Sequence, residues 1–179
     1  MKFCKMNWWE YTIYSAVIAV GILLDQLTKW LSVEFLKPIE TFPIIKGVIH
    51  LTYVENRGAA FGMLADKRYI FMIVSTVMIL VLSFILYSGS YKGSPLYLTS
   101  FALIVSGGIG NMIDRILLGY VVDFIDFRLI NFAVFNGADS FVCVGAGLLV
   151  LALIRDIIKE SKQKKASAND ADSNGGAER

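Results

Sequence analysis

The sequence predicts an integral membrane protein, mainly α-helical, in which four transmembrane helices carry a small extracytoplasmic β element and a short helix at the membrane surface. Of the 179 residues, 56% are hydrophobic and only 18% are charged, whereas a soluble domain has about 25% charged residues. The apolar residues are also gathered into long stretches, and a helix needs about 20 of them to cross the hydrocarbon core. These observations exclude a soluble fold.

Four stretches of the chain are candidates for the transmembrane helices. Tyr69–Tyr87 contains no charged residue, and Leu96–Ile113 satisfies the length requirement nearly as well. The fourth helix reaches a sufficient length if it runs over Ala138–Ile158. The first helix must extend over Tyr11–Leu31, because its uncharged part ends at Leu24. We expect this first helix to be a retained signal anchor, since no small-x-small cleavage pattern follows it.

The distribution of positive charge predicts that both termini are cytoplasmic. Lysine and arginine are dense before the first helix, between the second and third, and after the fourth, where four lysines follow Arg155. The two long connections, residues 32–68 and 114–137, mix fewer positive charges per residue with acids, and positive residues favour cytoplasmic loops. We therefore expect a single membrane domain over residues 1–158 and a polar, disordered cytoplasmic tail over residues 159–179.

The two long connections contain short segments with the pattern of β-strands. Residues from Gly47 to Glu55 alternate in polarity, as a half-buried strand does, and Asn56-Arg57-Gly58 then supplies a turn. Ala59–Ala65 is expected to form a short helix. In the second connection, Val121–Phe127 also alternates and is expected to be extended.

On this topology, the conspicuous polar residues collect at the extracytoplasmic face. A carboxylate in the middle of a transmembrane helix costs about 2.5–3.5 kcal/mol on insertion scales, so such residues are candidates for function. The set consists of Asp25, Lys29, Asn56, Arg57, Asn111, Asp114, Arg115, Asp123, Asp126, Asn136 and Asp139.

Several of these residues also have a purely structural interpretation. Asp25 and Lys29 have the spacing and order of a favourable helical ion pair. Asn136 and Asp139 are spaced as a helix N-cap and the acid at position N3. Gly107 indicates either close helix packing or a surface that a substrate backbone approaches.

Four further residues have simple structural explanations. Asp114 and Arg115 are explained by an ion pair at the membrane interface. Asp126 is expected to pair with Arg128 or with water, on the side of the strand opposite to Asp123. Cys143 is expected to be a small packing residue.

Asp123 is the residue that no structural interpretation explains. Its four nearest neighbours in sequence are apolar, and desolvation in such a segment raises the pKa of a carboxyl group. Asp139 lies instead at a helix start, where the positive end of the helix dipole acts on it. Two carboxyl groups in unlike environments, if close, share one proton and act as base and acid toward water and a carbonyl. The sequence thus indicates aspartic-protease chemistry at the membrane boundary.

Five motifs combine these polar residues with their neighbours. They are Asp25-Gln26-Leu27-Thr28-Lys29, Asn56-Arg57-Gly58-Ala59-Ala60-Phe61-Gly62, Gly107-Gly108-Ile109-Gly110-Asn111-Met112-Ile113-Asp114-Arg115, Val121-Val122-Asp123-Phe124 and Phe135-Asn136-Gly137-Ala138-Asp139-Ser140. In these motifs and their order, the chain between Tyr11 and Ile158 resembles the bacterial lipoprotein signal peptidases (signal peptidase II). One departure, at the start of the fourth helix, is Gly137, where the family usually carries a branched aliphatic residue.

The resemblance implies a membrane aspartyl endopeptidase that cuts prolipoprotein signal peptides just before the lipid-modified, diacylglyceryl cysteine. It makes Asp123 and Asp139 the catalytic pair. Residues implied to line the site and hold the substrate backbone are Asn56, Asn111, Arg115 and Asn136. Residues assigned to structural support are Asp25, Lys29, Asp114 and Gly107.

The implied partners are lipid-modified prolipoproteins and membrane lipid, with no nucleic acid. The protein is expected to act as a monomer in the bacterial inner membrane, with its active site toward the extracytoplasmic face. We expect no metal and no cofactor, because one histidine and two distant cysteines cannot supply the usual zinc ligands.

Three other functions are weighed against this interpretation. A small ion or proton transporter would use the buried acids, but a conduction path needs polar residues across the whole depth of the membrane. A Ser140–Lys29 hydrolase is disfavoured, because Lys29 already has Asp25 and a charged lysine is a poor base. A purely structural subunit leaves Asp123 unexplained.

Overall fold

The computed structural model describes residues 6–58 and 68–175, which form four helices and a three-stranded sheet. The helices are α1 (Trp8–Leu31), α2 (Arg68–Tyr87), α3 (Pro95–Leu117) and α4 (Gly137–Gly175), and the strands are β1 (Thr41–Ile45), β2 (Ile49–Asn56) and β3 (Val121–Phe127). A π-helical turn, Ser32–Leu36, and a 3-10 turn, Lys37–Ile39, continue α1 towards β1.

Several of these helices are suited to a membrane. Within the described residues, three segments are long and apolar enough to cross one: Trp8–Ile39, Pro95–Leu117 and Gly137–Lys164. A shorter apolar helical segment, Met72–Tyr87, lies within α2. The structure therefore confirms a mainly helical membrane protein, while the fourth crossing stays a prediction.

Helix α3 lies at the centre of the bundle and packs against the other three helices. Its apolar side chains form much of the core, including Leu98, Phe101 and Val105, together with Leu86 of α2. Gly107 lies where α3 meets α4, and a Cβ atom there would collide with the Ala138 carbonyl oxygen. This geometry favours close helix packing over substrate contact as the reason for glycine at this position.

The sheet is antiparallel with strand order β1-β2-β3. The predicted extended segments correspond to β2 and β3, whereas β1 was not predicted. In the register, Asn56 pairs with Val121, and Val54 pairs with Asp123 beyond an irregularity in β2. The side chain of Asn56 is therefore a diagonal neighbour of Asp123 across the two strands.

Two expectations for the connections and the tail have different outcomes. The short helix expected over residues 59–65 lies outside the described residues. Helix α4 continues to Gly175, whereas the sequence favoured a disordered tail after residue 158. The first part of that tail is rich in lysine, glutamate and glutamine, which are good helix formers, and these residues extend a helix that already exists.

Candidate active site

Two carboxyl groups from different elements line one cavity at the end of the bundle where the sheet lies. Asp123 is the third residue of β3, and Asp139 lies in the first turn of α4. The cavity has a volume of about 470 Å³, and Asn56 and Arg115 also line it. The structure therefore brings together the two acids that the sequence indicated, although 16 residues separate them.

Asp123 is only 1% exposed and accepts two amide hydrogen bonds. Its Oδ2 accepts from Nδ2 of Asn56 at 2.8 Å, and its Oδ1 accepts from Nδ2 of Asn136 at 2.7 Å. Burial raises the pKa of Asp123 to about 7; the Asn56 hydrogen bond opposes this shift, and the nearby Asp139 charge adds to it. The predicted desolvation of Asp123 is thus confirmed, and its proton is half-dissociated near neutral pH.

Asp139 is held by the N-terminus of its own helix and by an amide from α3. Its Oδ2 accepts the backbone N–H of Asn136 at 3.2 Å, while Oδ1 of Asn136 accepts the N–H of Asp139 at 3.0 Å. This reciprocal pair is a capping box. Nδ2 of Asn111 donates to Oδ1 of Asp139 at 2.8 Å. The structural interpretation of Asn136 is therefore correct, but Asn136 also contacts Asp123 and so connects the two acids.

The orientation of the Asn111 amide follows from its neighbours. Oδ1 of Asn111 accepts from Nζ of Lys29 at 2.9 Å and from Nδ2 of Asn136 at 3.0 Å. Lysine ammonium is only a donor, so the Asn111 oxygen must face it. The Asn111 NH₂ group is consequently directed at Asp139.

A buried ion cluster lies behind this site. Nζ of Lys29 lies 2.9 Å from Oδ2 of Asp25 and 3.0 Å from Oδ2 of Asp114. Gln26 adds a hydrogen bond to Oδ1 of Asp114 at 3.0 Å. The predicted Asp25–Lys29 pair is present, whereas Asp114 pairs with Lys29 and not in a simple pair with Arg115. No separate role was predicted for Gln26, although it lies inside the first motif.

Each acid of this cluster holds the residue that precedes one of the two cavity carboxyls. Oδ1 of Asp25 accepts the N–H of Ala138 at 2.8 Å, immediately before Asp139. Oδ2 of Asp114 accepts the N–H of Val122 at 3.1 Å, immediately before Asp123. A single buried network thus fixes the start of α4 and the start of β3 relative to α1 and α3.

Of the other residues that the sequence singled out, Arg115 and Cys143 line the cavity and Asp126 does not. Nη1 of Arg115 donates to the Asn111 carbonyl at 3.3 Å. Cys143 is exposed and lines the cavity, so the expectation of a packing residue was wrong. The reason is that Cys143 lies one turn after Asp139, on the same face of α4. Asp126 pairs with Arg128 at 2.8 Å and does not line the cavity.

Gly137 lies at the start of α4, and other side chains bear on the alternatives of metal binding and of a Ser140–Lys29 pair. A Cβ atom on Gly137 would make an ordinary contact of 3.5 Å with Asp25, so a larger residue fits and the helix still begins there. Within residues 6–58 and 68–175, no group of three or more histidine, cysteine, aspartate or glutamate residues could hold a metal ion. Ser140 donates to the Asn136 carbonyl at 3.1 Å, while Lys29 is engaged in the ion cluster.

Comparison with known proteins bears on the family of the chain. The sequence model of the family described as Signal peptidase (SPase) II matches residues 17–155. A lipoprotein signal peptidase of Halothermothrix orenii is 51% identical over 76% of this chain and 92% of its own length. One of Caldanaerobacter subterraneus subsp. tengcongensis is 49% identical over 77% of this chain and 93% of its own.

Solved structures agree as well. A structure of a bacterial membrane enzyme determined by the in meso method at 2.3 Å resolution has a TM-score of 0.77 and 28% identity, covering 88% of this chain and 94% of that one. A second, at 1.9 Å resolution, has a TM-score of 0.74 and 28% identity, covering 87% and 99%. The resemblance inferred from the five motifs is confirmed, and the chain belongs to the signal peptidase II family.

Proposed function

We propose that the protein is a membrane aspartic endopeptidase that removes signal peptides from prolipoproteins by cutting before the lipid-modified cysteine. The observation that carries this proposal is the pair Asp123 and Asp139, which line one cavity and are joined through Asn136. Relatives over most of the chain are named lipoprotein signal peptidases. The ion-transporter alternative has no support: apart from Glu10 in the first turn of α1, the buried acids are grouped at the end of the bundle where the sheet lies.

The two carboxyls suit the two halves of a hydrolytic step. Asp123, with a pKa of about 7, holds a proton that it donates to the oxygen of the scissile carbonyl. Asp139 accepts two N–H donors, which suits a carboxylate, and takes a proton from the attacking water as the new C–O bond forms. The C–N bond then breaks as the proton gained by Asp139 passes to the departing amine, and one hydroxyl of the tetrahedral intermediate returns its proton to Asp123 as the C=O of the new carboxyl group forms.

The other cavity residues are proposed to hold the substrate. Arg115 contributes a positive charge to the cavity wall, which suits the partial negative charge of a peptide carbonyl. Asn56 and Asn111 orient the two carboxyls and offer amide groups to the peptide backbone. Asp25, Lys29 and Asp114 support the site through the network behind it.

The proposed setting is the bacterial inner membrane, with four crossings, cytoplasmic termini and the site at the extracytoplasmic face. On α4, Asp139 and Arg155 are separated by about 24 Å of helix, close to the thickness of the hydrocarbon core. The site and the positive charges therefore lie at opposite ends of this helix. We propose residues 1–158 as the peptidase domain of a monomer, with no cofactor.

The test is to incubate the purified protein with a diacylglyceryl-modified prolipoprotein and with its unlipidated form, with and without a strong chelator. Cleavage of the lipidated form alone, unaffected by chelator, is the expected result. Loss of cleavage in chelator that zinc restores would refute the aspartic mechanism, and equal cleavage of both forms would refute the substrate assignment.

A further inference from the structure

An extended segment, residues 132–135, borders the cavity and lies alongside β3. The N–H of Phe135 donates to the Ile125 carbonyl at 3.1 Å, and the Phe135 carbonyl accepts the N–H groups of Ile125 at 2.8 Å and Phe124 at 3.0 Å. At the other end, the N–H of Phe132 donates to the Phe127 carbonyl at 3.3 Å. The bridge between Phe135 and Ile125 is antiparallel, so the segment lies along the edge of the sheet that β3 forms.

Val134 lies between these two points of attachment. Along an extended chain, successive residues direct their N–H and C=O groups to opposite sides. Phe135 directs both of its groups to β3, so Val134 directs its own away from β3. Neither group of Val134 makes a hydrogen bond to any part of the chain that the structure describes. Val134 is half-buried and lines the cavity.

A half-buried backbone with free hydrogen-bonding groups is suited to bind another extended chain. Peptides commonly bind by adding a strand to an open sheet edge, where main-chain hydrogen bonds supply affinity independent of side chains. We propose that the peptide substrate binds in an extended conformation along residues 132–135 and exchanges backbone hydrogen bonds with Val134. This inference rests on the proposed function of the same cavity.

The position of the segment connects this binding mode to the chemistry. Residues 132–135 lead directly into Asn136, which contacts both Asp123 and Asp139. A strand added at Val134 would therefore run beside the two carboxyls, with a backbone carbonyl within their reach. Because the hydrogen bonds are made by the main chain, this device accepts signal peptides of different sequence.

The first test uses the wild-type enzyme and a synthetic lipopeptide that contains the diacylglyceryl cysteine and the residues before it. Each amide except the scissile one is replaced in turn by an ester, which removes an N–H donor and weakens the carbonyl acceptor without adding bulk. One lost hydrogen bond should raise KM roughly threefold to tenfold. The rise should be confined to the bonds flanking a single residue, and a flat scan would overturn the inference.

The second test uses Val134→Pro, which removes the N–H, with Val134→Ala as the matched control that keeps it. Relative to Val134→Ala, which removes side-chain atoms but keeps the N–H, Val134→Pro should raise KM several-fold with kcat little changed. In Val134→Pro, the ester that weakens the facing carbonyl should have no further effect; independent effects would contradict the pairing.

The outcomes separate this inference from the function on which it rests. If the unmodified lipopeptide is not cleaved, the proposed function fails. If it is cleaved but the ester scan is flat, only the extended binding mode fails. Should Val134→Pro not fold, the ester scan on the wild-type enzyme still decides.

Discussion

Replacement of Lys29 by methionine should destabilise the protein strongly, because Lys29 is the only cation in contact with the buried acids Asp25 and Asp114 among the described residues. Its side chain is 3% exposed and makes three contacts of 2.9–3.0 Å, to Asp25, Asp114 and Asn111. Methionine has a similar length but no charge and no donor. The variant therefore leaves two carboxylates buried without their counter-charge.

The magnitude follows from this geometry. Breaking a buried ion pair by removing one partner costs about 3–5 kcal/mol, since the remaining charge is desolvated and uncompensated. Two acids lose their partner here, so the cost for Lys29→Met should lie at the upper end of that range. The exposed pair of Lys37 and Glu55 offers a matched control: its side chains are 49% and 31% exposed. Lys37→Met should change the free energy of unfolding little, because exposed ion pairs contribute little to stability.

The assay is the unfolding of purified, detergent-solubilised protein by heat or denaturant. The triple variant Lys29→Met, Asp25→Asn and Asp114→Asn should recover most of the loss, because the amide oxygens still accept the N–H groups of Ala138 and Val122 without burying a charge. A Lys29→Met variant as stable as Lys37→Met would refute the reasoning, and so would a triple variant no more stable than Lys29→Met alone.

Further predictions concern the site, the packing and the proposed topology. The rate of cleavage should fall about tenfold per pH unit above pH 7, because the raised pKa of Asp123 places the loss of its proton near there; a rate that is flat up to pH 9 would contradict this. The same shift makes the contribution of Asp123 to stability greatest below about pH 4, its ordinary range, and lost as the pH rises to 7, which pH-dependent unfolding would detect. Gly107→Ala should lower stability by about 1–3 kcal/mol through overpacking, whereas Gly147→Ala, with nothing within 4 Å of the added Cβ, should not; equal unfolding temperatures would contradict the packing argument. A cysteine placed at Lys92 should be labelled only from the cytoplasmic side and one at Lys46 only from outside; labelling of Lys92→Cys from outside would invert the proposed orientation.

The helices and two of the three strands could be predicted from local pattern. The helix bounds expected for α2 and α3 lie within a few residues of those observed, and β3 has the bounds expected for Val121–Phe127. Long apolar runs and the alternation of apolar and polar residues are local patterns, so a single sequence is enough to detect them. Strand β1 carries no such signal, because it contains Pro43 and all five of its residues are exposed.

The candidate site could be predicted only in part. Residue types and membrane placement indicated Asp123 and Asp139, and i,i+4 spacing indicated the Asp25–Lys29 pair. The third member of that cluster, Asp114, lies 85 residues beyond Lys29, and no local rule gives such a contact. The exposure of Cys143 depends in the same way on which face of α4 packs against α3.

The central claim is that Asp123 and Asp139 together perform the acid–base work, and cleavage by their asparagine variants tests it most directly. Cleavage is measured per unit of folded, membrane-inserted protein for each single variant, the double variant and Asp126→Asn, whose carboxylate is paired with Arg128 and does not line the cavity. Each of Asp123→Asn and Asp139→Asn should lose about 10²–10⁴-fold or more, and the double variant should be little worse. Asp126→Asn should cut almost normally. Robust turnover by folded Asp139→Asn, or an inactive but folded Asp126→Asn, would contradict the account.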